Sequence, residues 1–285
     1  MSKLLVPVDF SPTSAVALRY ATYLGDVTGL TLSVLHVHDG FAAEETHRLL
    51  EVKGNVPTQV AAQRKLAGFV RRQVSALSFT GLRDQQDRLP LVEQFAVVSA
   101  SPATAILTQA GQPSVRLIVM GGVGSSRSAI ADPYRFGSVA RSVALRAGVP
   151  VLLIPSGYGT PSVTRIAFAF EDPETLRDVR QTTSFLARAL RVQDIRYVRQ
   201  PSSVPPPLPA ATPAIQPGTD TLPEGALPDV LSEYVLEADI DLLIVGRRRG
   251  GSLFERLFLP SRVRPLLRRC PVPLLIVPLT GEANY

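Results

Sequence analysis

Four glycine-bearing positions carry the clearest chemistry in this chain. Gly121, Gly122 and Gly124 follow an apolar run, LIVM, and Gly137 with Ser138 opens a helical pattern after twelve intervening residues. Glycine lets the backbone approach an anion with no side chain between them. The N–H groups at a helix start have no intrahelical acceptor, and the helix dipole favours negative charge there. The parts suit a phosphate group, with the N–H groups of Gly137, Ser138 and Val139 as expected free donors and Ser138 as expected cap. Asp9, just after the first apolar run, would stand at the far side of the site and accept a hydrogen bond from a base or ribose. The competing readings are a turn that merely needs glycine, and a carboxylate that stabilises the first turn of a helix. Neither the Walker pattern nor the compact G-x-G-x-x-G fingerprint is present.

Other residue types point to less. His36 and His38 lie two apart on one side of a strand. Two histidines without a third ligand make a weak metal site, and His38, nearer the strand's end, is the better candidate for a ligand contact. His47 reads as helix surface. Arg127 and Arg135 lie in the long glycine-bounded loop and read as surface arginines, with contact to a phosphate as the sharper alternative. The run Arg247–Arg249 reads as a solvated loop, with an anion site as the sharper alternative. The single cysteine, Cys270, excludes a disulfide framework and reads as an inert core thiol in a reducing compartment. No nucleophile–base–orienter set and no clustered carboxylates appear, and the glycine loop has no lysine. The chain is expected to be no enzyme. A slow ATPase would have to draw on Asp9 and Asp132 as metal-binding candidates.

The elements that would position these residues come in two sets. Residues 137–155 and 260–278 align without gaps at an offset of 123, with seven identities. The strand before each also repeats, RLIVMGG at 116–122 matching DLLIVGR at 241–247. Leu4–Val8 and Ile166–Phe170 are apolar runs without alternation, as expected of strands buried on both faces. Ser11-Pro12 and Asp172-Pro173 follow as helix starts. The first half reads as strands 3–8, 31–37, 94–99, 116–120 and 150–154, with helices 12–26, 44–78, 102–110 and 138–147. The second reads as strands 165–170, 194–199, 241–245 and 273–277, with helices 173–190, 228–237 and 261–269.

Such alternation implies α/β architecture: two tandem open parallel-sheet domains, Rossmann-like, with helices on both faces. The expected domains are 1–157 and 162–285. Residues 201–228, with nine prolines, read as an irregular insertion in the second. In such sheets ligands sit beyond the strands' carboxyl ends, where strand order reverses. The net charge of +6 is dispersed, so nucleic acid is not indicated. No apolar run is long enough to cross a bilayer, and Asp9 interrupts the N-terminal apolar stretch too early for a secretory segment. The expected location is the cytoplasm.

With LLVPVDFSPTSAVALRYA, LSVLHV and LIVMGGVG…GSVARSV…VPVLLIP on the page, both halves resemble the universal stress protein family, and the chain resembles a tandem member. The resemblance implies an adenine nucleotide α-hydrolase-like fold and an ATP site, with Mg²⁺ as accompanying ion. It implies that Pro7, Asp9 and Val37 face adenine and ribose. Met120, Gly121 and Gly124 would hold ribose and α-phosphate, and Gly137, Ser138 and Val139 the outer phosphates. In ATP-binding members nine residues separate G-x-x-G from G-[ST]; here twelve do.

In the second half Phe170 stands opposite Asp9, the glycines of Gly246–Gly250 are one residue further apart, and Pro260 replaces Gly137. That half is expected not to bind ATP and to serve as a built-in partner, a pseudo-dimer with contact between the last strands Val151–Ile154 and Leu274–Val277, or a homodimer. The implied role is stress-response regulation through a protein partner, with residues 125–136 ordered over the phosphates. The alternative is a scaffold without nucleotide.

Overall fold

The computed structural model describes residues 1–38, 58–77, 91–99, 101–122, 136–159, 163–170, 173–192, 194–199, 219–223, 227–248, 266–267 and 270–279. The chain divides into two compact units. Unit 1 holds β1 (Lys3–Val8), α1 (Pro12–Thr28), β2 (Thr31–His38), α2 (Thr58–Leu77), β3 (Val92–Val98), α3 (Pro102–Ala110), β4 (Val115–Gly121), α4 (Ser138–Arg146) and β5 (Val151–Ile154). Unit 2 holds β6 (Arg165–Phe170), α5 (Pro173–Ala189), β7 (Asp194–Arg199), β8 (Thr219–Thr221), α6 (Leu227–Glu237), β9 (Leu242–Arg248) and β10 (Leu274–Leu279).

Unit 1 orders its strands β3-β2-β1-β4-β5, all parallel. The first two crossovers step one way across the sheet and the next two return the other way. Right-handed crossovers therefore place α1 and α2 on one face and α3 and α4 on the other. The packing agrees: α1 lies against α2, and α3 against α4. Covered on both faces, the strands are buried without alternation. Leu4, Val6, Leu32, Val34, Ile118 and Val119 are all fully buried. Order reverses between β1 and β4, so the crevice of the fold opens at their carboxyl ends.

Local chemistry explains the helix that lines this crevice. Ser11 has extended backbone and its side chain accepts the Ser14 N–H at 3.1 Å. Pro12 then occupies the first helical position, where no N–H is needed. Gly29 ends α1 in the left-handed conformation, φ 70°.

Unit 2 repeats the order: β8-β7-β6-β9-β10, again parallel. Three expectations need correction here. Residues 201–228 are not all irregular, because Thr219–Thr221 forms β8 beside Tyr197–Arg199. Three polar residues at a sheet edge carry no periodic signal, and only their pairing reveals the strand. The arginine run is not all a solvated loop. β9 continues to Arg248, and Arg247 is only 8% exposed. Finally, Phe170 does not stand opposite Asp9. Leu4 pairs with Leu117 and Ile166 with Leu242, two equivalent points, so Phe170 matches Val8 and Glu171 matches Asp9. Glu171 lies outside the described residues, as do 44–57 of the expected second helix, Asp172 and most of the expected helix 261–269.

Candidate functional site

Parallel pairing brings the carboxyl ends of β1, β2 and β4 to one end of unit 1. Val8 pairs with His36 and Leu5 with Ile118, so Pro7, Asp9, Val37 and Met120 all fall at that end. Pro7 and Met120 are buried, Val37 is half-buried, and Asp9 is exposed.

Asp9 is first a turn-former. Its Oδ1 accepts the Ser11 N–H at 3.1 Å and the Ser11 hydroxyl at 2.5 Å. Ser11 Oγ meets Thr13 Oγ1 at 3.0 Å and caps α1, so the carboxylate orders the helix start through its serine. Between them Phe10 adopts φ 64°, a region a bulky residue rarely enters. Its ring lies 4.3 Å from that of His36 and meets Phe69 edge-on at 5.3 Å. Lys65 sets its Nζ 4.3 Å above the Phe10 ring. Sequence reasoning missed this aromatic–cation cluster. Lys65 and Phe69 belong to α2, far along the chain, and nothing in their spacing points to Phe10.

His36 Nδ1 lies 2.9 Å from the Val8 carbonyl, which makes Nδ1 the donor. Burial is the main cause that holds its pKa below the ordinary histidine value, and the Val8 bond opposes it. His38, the residue expected as a ligand contact, has Nε2 bonded to Gln59 Oε1 at 2.9 Å.

The β4 end is built around close approach. A Cβ on Gly121 would sit 2.9 Å from the Thr13 carbonyl carbon and 3.0 Å from Ser14 N, both backbone atoms of α1. Only glycine lets the strand end and helix start meet. Gly122 donates to the Ile154 carbonyl at 2.7 Å and accepts the Gly137 N–H at 2.6 Å. The last bond carries two corrections. The Gly137 N–H is committed to Gly122 rather than free, because the chain re-enters α4 directly over the end of β4. Gly137 itself, with extended backbone, is the N-cap and makes no side-chain cap bond, whereas Ser138 is the first helical residue. The first intrahelical bond runs from Arg141 N to Gly137 O. Helix geometry leaves the N–H groups of Ser138, Val139 and Ala140 without intrahelical acceptors. Gly124, Arg127, Asp132, Arg135 and His47 lie outside the described residues, and so does residue span 125–135.

The arrangement is a helix start whose first N–H groups lack intrahelical acceptors, tied to a glycine strand end beside the capped start of α1. Among the described residues no three His, Cys, Asp or Glu side chains gather as a metal site, and no helix is long and apolar enough to cross a membrane.

Two solved structures share this fold along nearly the whole chain. A universal stress protein from Archaeoglobus fulgidus DSM 4304 has 17% identity, with 97% of this chain and 98% of that one covered and a TM-score of 0.61. A protein of unknown function from Pseudomonas aeruginosa PAO1 has 13% identity, with 98% and 92% covered and a TM-score of 0.63. A shorter universal stress protein from Archaeoglobus fulgidus, solved in complex with dAMP, has 23% identity, with 54% of this chain and 97% of that one covered and a TM-score of 0.33. Among curated proteins nothing matches. The family model described as the universal stress protein family matches residues 1–155 and 188–278, in both units, and the chain belongs to that family.

Proposed function

We propose that unit 1 binds an adenine nucleotide, ATP or a close relative, and that the protein is a nucleotide-responsive regulator of the stress response rather than a fast catalyst. The observation that carries this reading is the 2.6 Å bond from Gly137 N–H to the Gly122 carbonyl. It anchors the start of α4, uncapped by any side chain of Gly137, at the crevice where strand order reverses. Phosphates would meet the N–H groups of Ser138 and Val139, with the Ser138 hydroxyl beside them and Mg²⁺ accompanying ATP. Gly137 would act by its lack of a side chain, because its N–H is already spent. Met120, Gly121 and Gly124 would border the ribose and α-phosphate, and Pro7, Asp9 and Val37 the base side. Regulation would pass through a protein partner that distinguishes the loaded from the empty state.

Isothermal titration of folded, ligand-free protein with ATP and Mg²⁺ tests the reading. Binding at one site per chain is expected. Ser138→Pro supplies the sharper arm. Proline suits the first helical position, and the extended Gly137 (ψ 168°) already suits a following proline. The helix survives while one donor N–H and one hydroxyl are lost, so affinity should fall about tenfold. Absence of heat in the wild-type protein would remove nucleotide binding and leave a scaffold. Unchanged affinity in Ser138→Pro would remove the helix start from the site.

A further inference from the structure

β3 is an edge strand of unit 1, and no described strand pairs with its outer side. Its inner side is set by two bonds: Leu32 N–H reaches the Leu91 carbonyl, and Ser99 N–H reaches the His38 carbonyl. Odd-numbered residues therefore turn their backbone groups to β2, and Val92, Gln94, Ala96 and Val98 turn theirs outward. Open edges of this kind template pairing with another chain. The hazard is raised by Leu91, just before β3, and Val98 at its end, 66% and 55% exposed.

The outward groups are nevertheless occupied. Gln63 of α2 accepts the Ala96 N–H on Oε1 at 3.0 Å and donates from Nε2 to the Gln94 carbonyl at 2.9 Å. In a parallel sheet, one residue donates to the carbonyl of j−1 and accepts from the N–H of j+1. The Gln63 amide reproduces that pattern opposite Phe95, as one residue of a missing sixth strand would. Gln59, one helical turn earlier, donates to the Ala96 carbonyl at 2.6 Å. Its Oε1 accepts from His38, which fixes the amide's orientation.

The geometry points to Gln63 and Gln59 as a strand surrogate that masks the β3 edge against a second copy of this chain. The masked partner is the β3 of that copy, because two equivalent edges pair about a two-fold axis. This inference stands apart from nucleotide binding.

The test compares wild-type protein with Gln63→Leu and Gln63→Glu by amide hydrogen exchange and sedimentation velocity. In Gln63→Leu the Ala96 N–H should exchange about fivefold faster at low concentration, the loss of one hydrogen bond. At high concentration a dimer absent from the wild type should form. Gln63→Glu at neutral pH keeps the acceptor for Ala96 N–H and loses the donor to Gln94, so Ala96 should stay protected. It remains informative where Gln63→Leu does not fold. Unchanged Ala96 exchange in Gln63→Leu overturns the bond's role, and faster exchange without a dimer overturns the masking. Loss of Ala96 protection in folded Gln63→Glu overturns the surrogate geometry.

Discussion

Replacing Gly121 with alanine separates close packing from backbone freedom. The new Cβ would lie 2.9 Å from Thr13 C and 3.0 Å from both Thr13 O and Ser14 N. Comfortable carbon contacts begin near 3.5 Å, so the deficit is about half an ångström against three atoms at once. None of them belongs to a side chain that can rotate away. They form the first turn of α1, held by Pro12, by Ser11 Oγ to Ser14 N–H, and by Ser14 Oγ to Ser11 O at 2.9 Å. The helix start or the strand end must move. Overpacking of this kind costs about 1–3 kcal/mol. Alanine returns about 0.4–1 kcal/mol by restricting the unfolded chain. A net loss of about 1–2 kcal/mol follows for unit 1. The urea midpoint for exchange protection of the β4 amides measures it. Gly159→Ala is the matched control, since a Cβ there meets nothing within 4 Å and φ is not positive. That control should be neutral or up to about 1 kcal/mol more stable. Equal midpoints for the two variants would refute the reasoning, because the packing argument would then have no energetic content.

Two further outcomes follow from titrating groups. His36 has its folded pKa depressed, chiefly by burial against Phe10 with His38, Lys65 and Asp9 nearby. The unfolded chain then binds the proton more readily, so this group's contribution is complete above about pH 6.5 and is lost as pH falls through the folded value. His36→Asn should flatten the fall in unit 1 stability between pH 7.5 and 5.5, read from urea midpoints of the β1 amides. An equal fall in both proteins would show that His36 is not the group responsible. Cys270 is 1% exposed, its S–H faces the Val272 carbonyl at 3.3 Å, and burial pushes its pKa up to about 12. A thiol reagent at pH 8 should label it at least about a thousandfold more slowly in native protein than in urea, because reaction waits on opening. Rapid native labelling would contradict the burial.

What was legible in the sequence had local causes. Ser11-Pro12 announces a helix start because the serine oxygen and the missing proline N–H answer the needs of one turn. Leu4–Val8 and Leu117–Met120 announce buried parallel strands because no residue in them needs water. The repeat at an offset of 123 announces one plan used twice. What was not legible depends on partners distant in the chain. β8 is three polar residues that become a strand only beside Tyr197–Arg199. The left-handed Phe10 is held by a ring of β2 and by a ring and an amine from α2, and no neighbour in sequence hints at it. Gln63 reads as an ordinary helix surface until the β3 edge is laid beside it. Glu171 could be set opposite Asp9 only from strand pairing, because the interval from strand to helix is one residue shorter in unit 2 than in unit 1.

The same pairing locates the chemical difference between the units in two residues. β4 and β9 share one register, so Arg247 is the counterpart of Gly122, and the repeat makes Pro260 the counterpart of Gly137. In unit 1 the joint that seats α4 is a bond from Gly137 N–H to the Gly122 carbonyl. A proline has no N–H, so unit 2 cannot make this joint whatever path residues 249–265 follow. In place of a glycine that yields space, unit 2 carries a guanidinium side chain that is itself buried. A carboxylate at the position matching Asp9 is therefore not enough to make the crevices equivalent, since the difference lies at the joint between the strand end and the helix start. Under the proposed function the consequence is a stoichiometry of one nucleotide per chain, and a second equal site in the titration would break the link between that joint and binding.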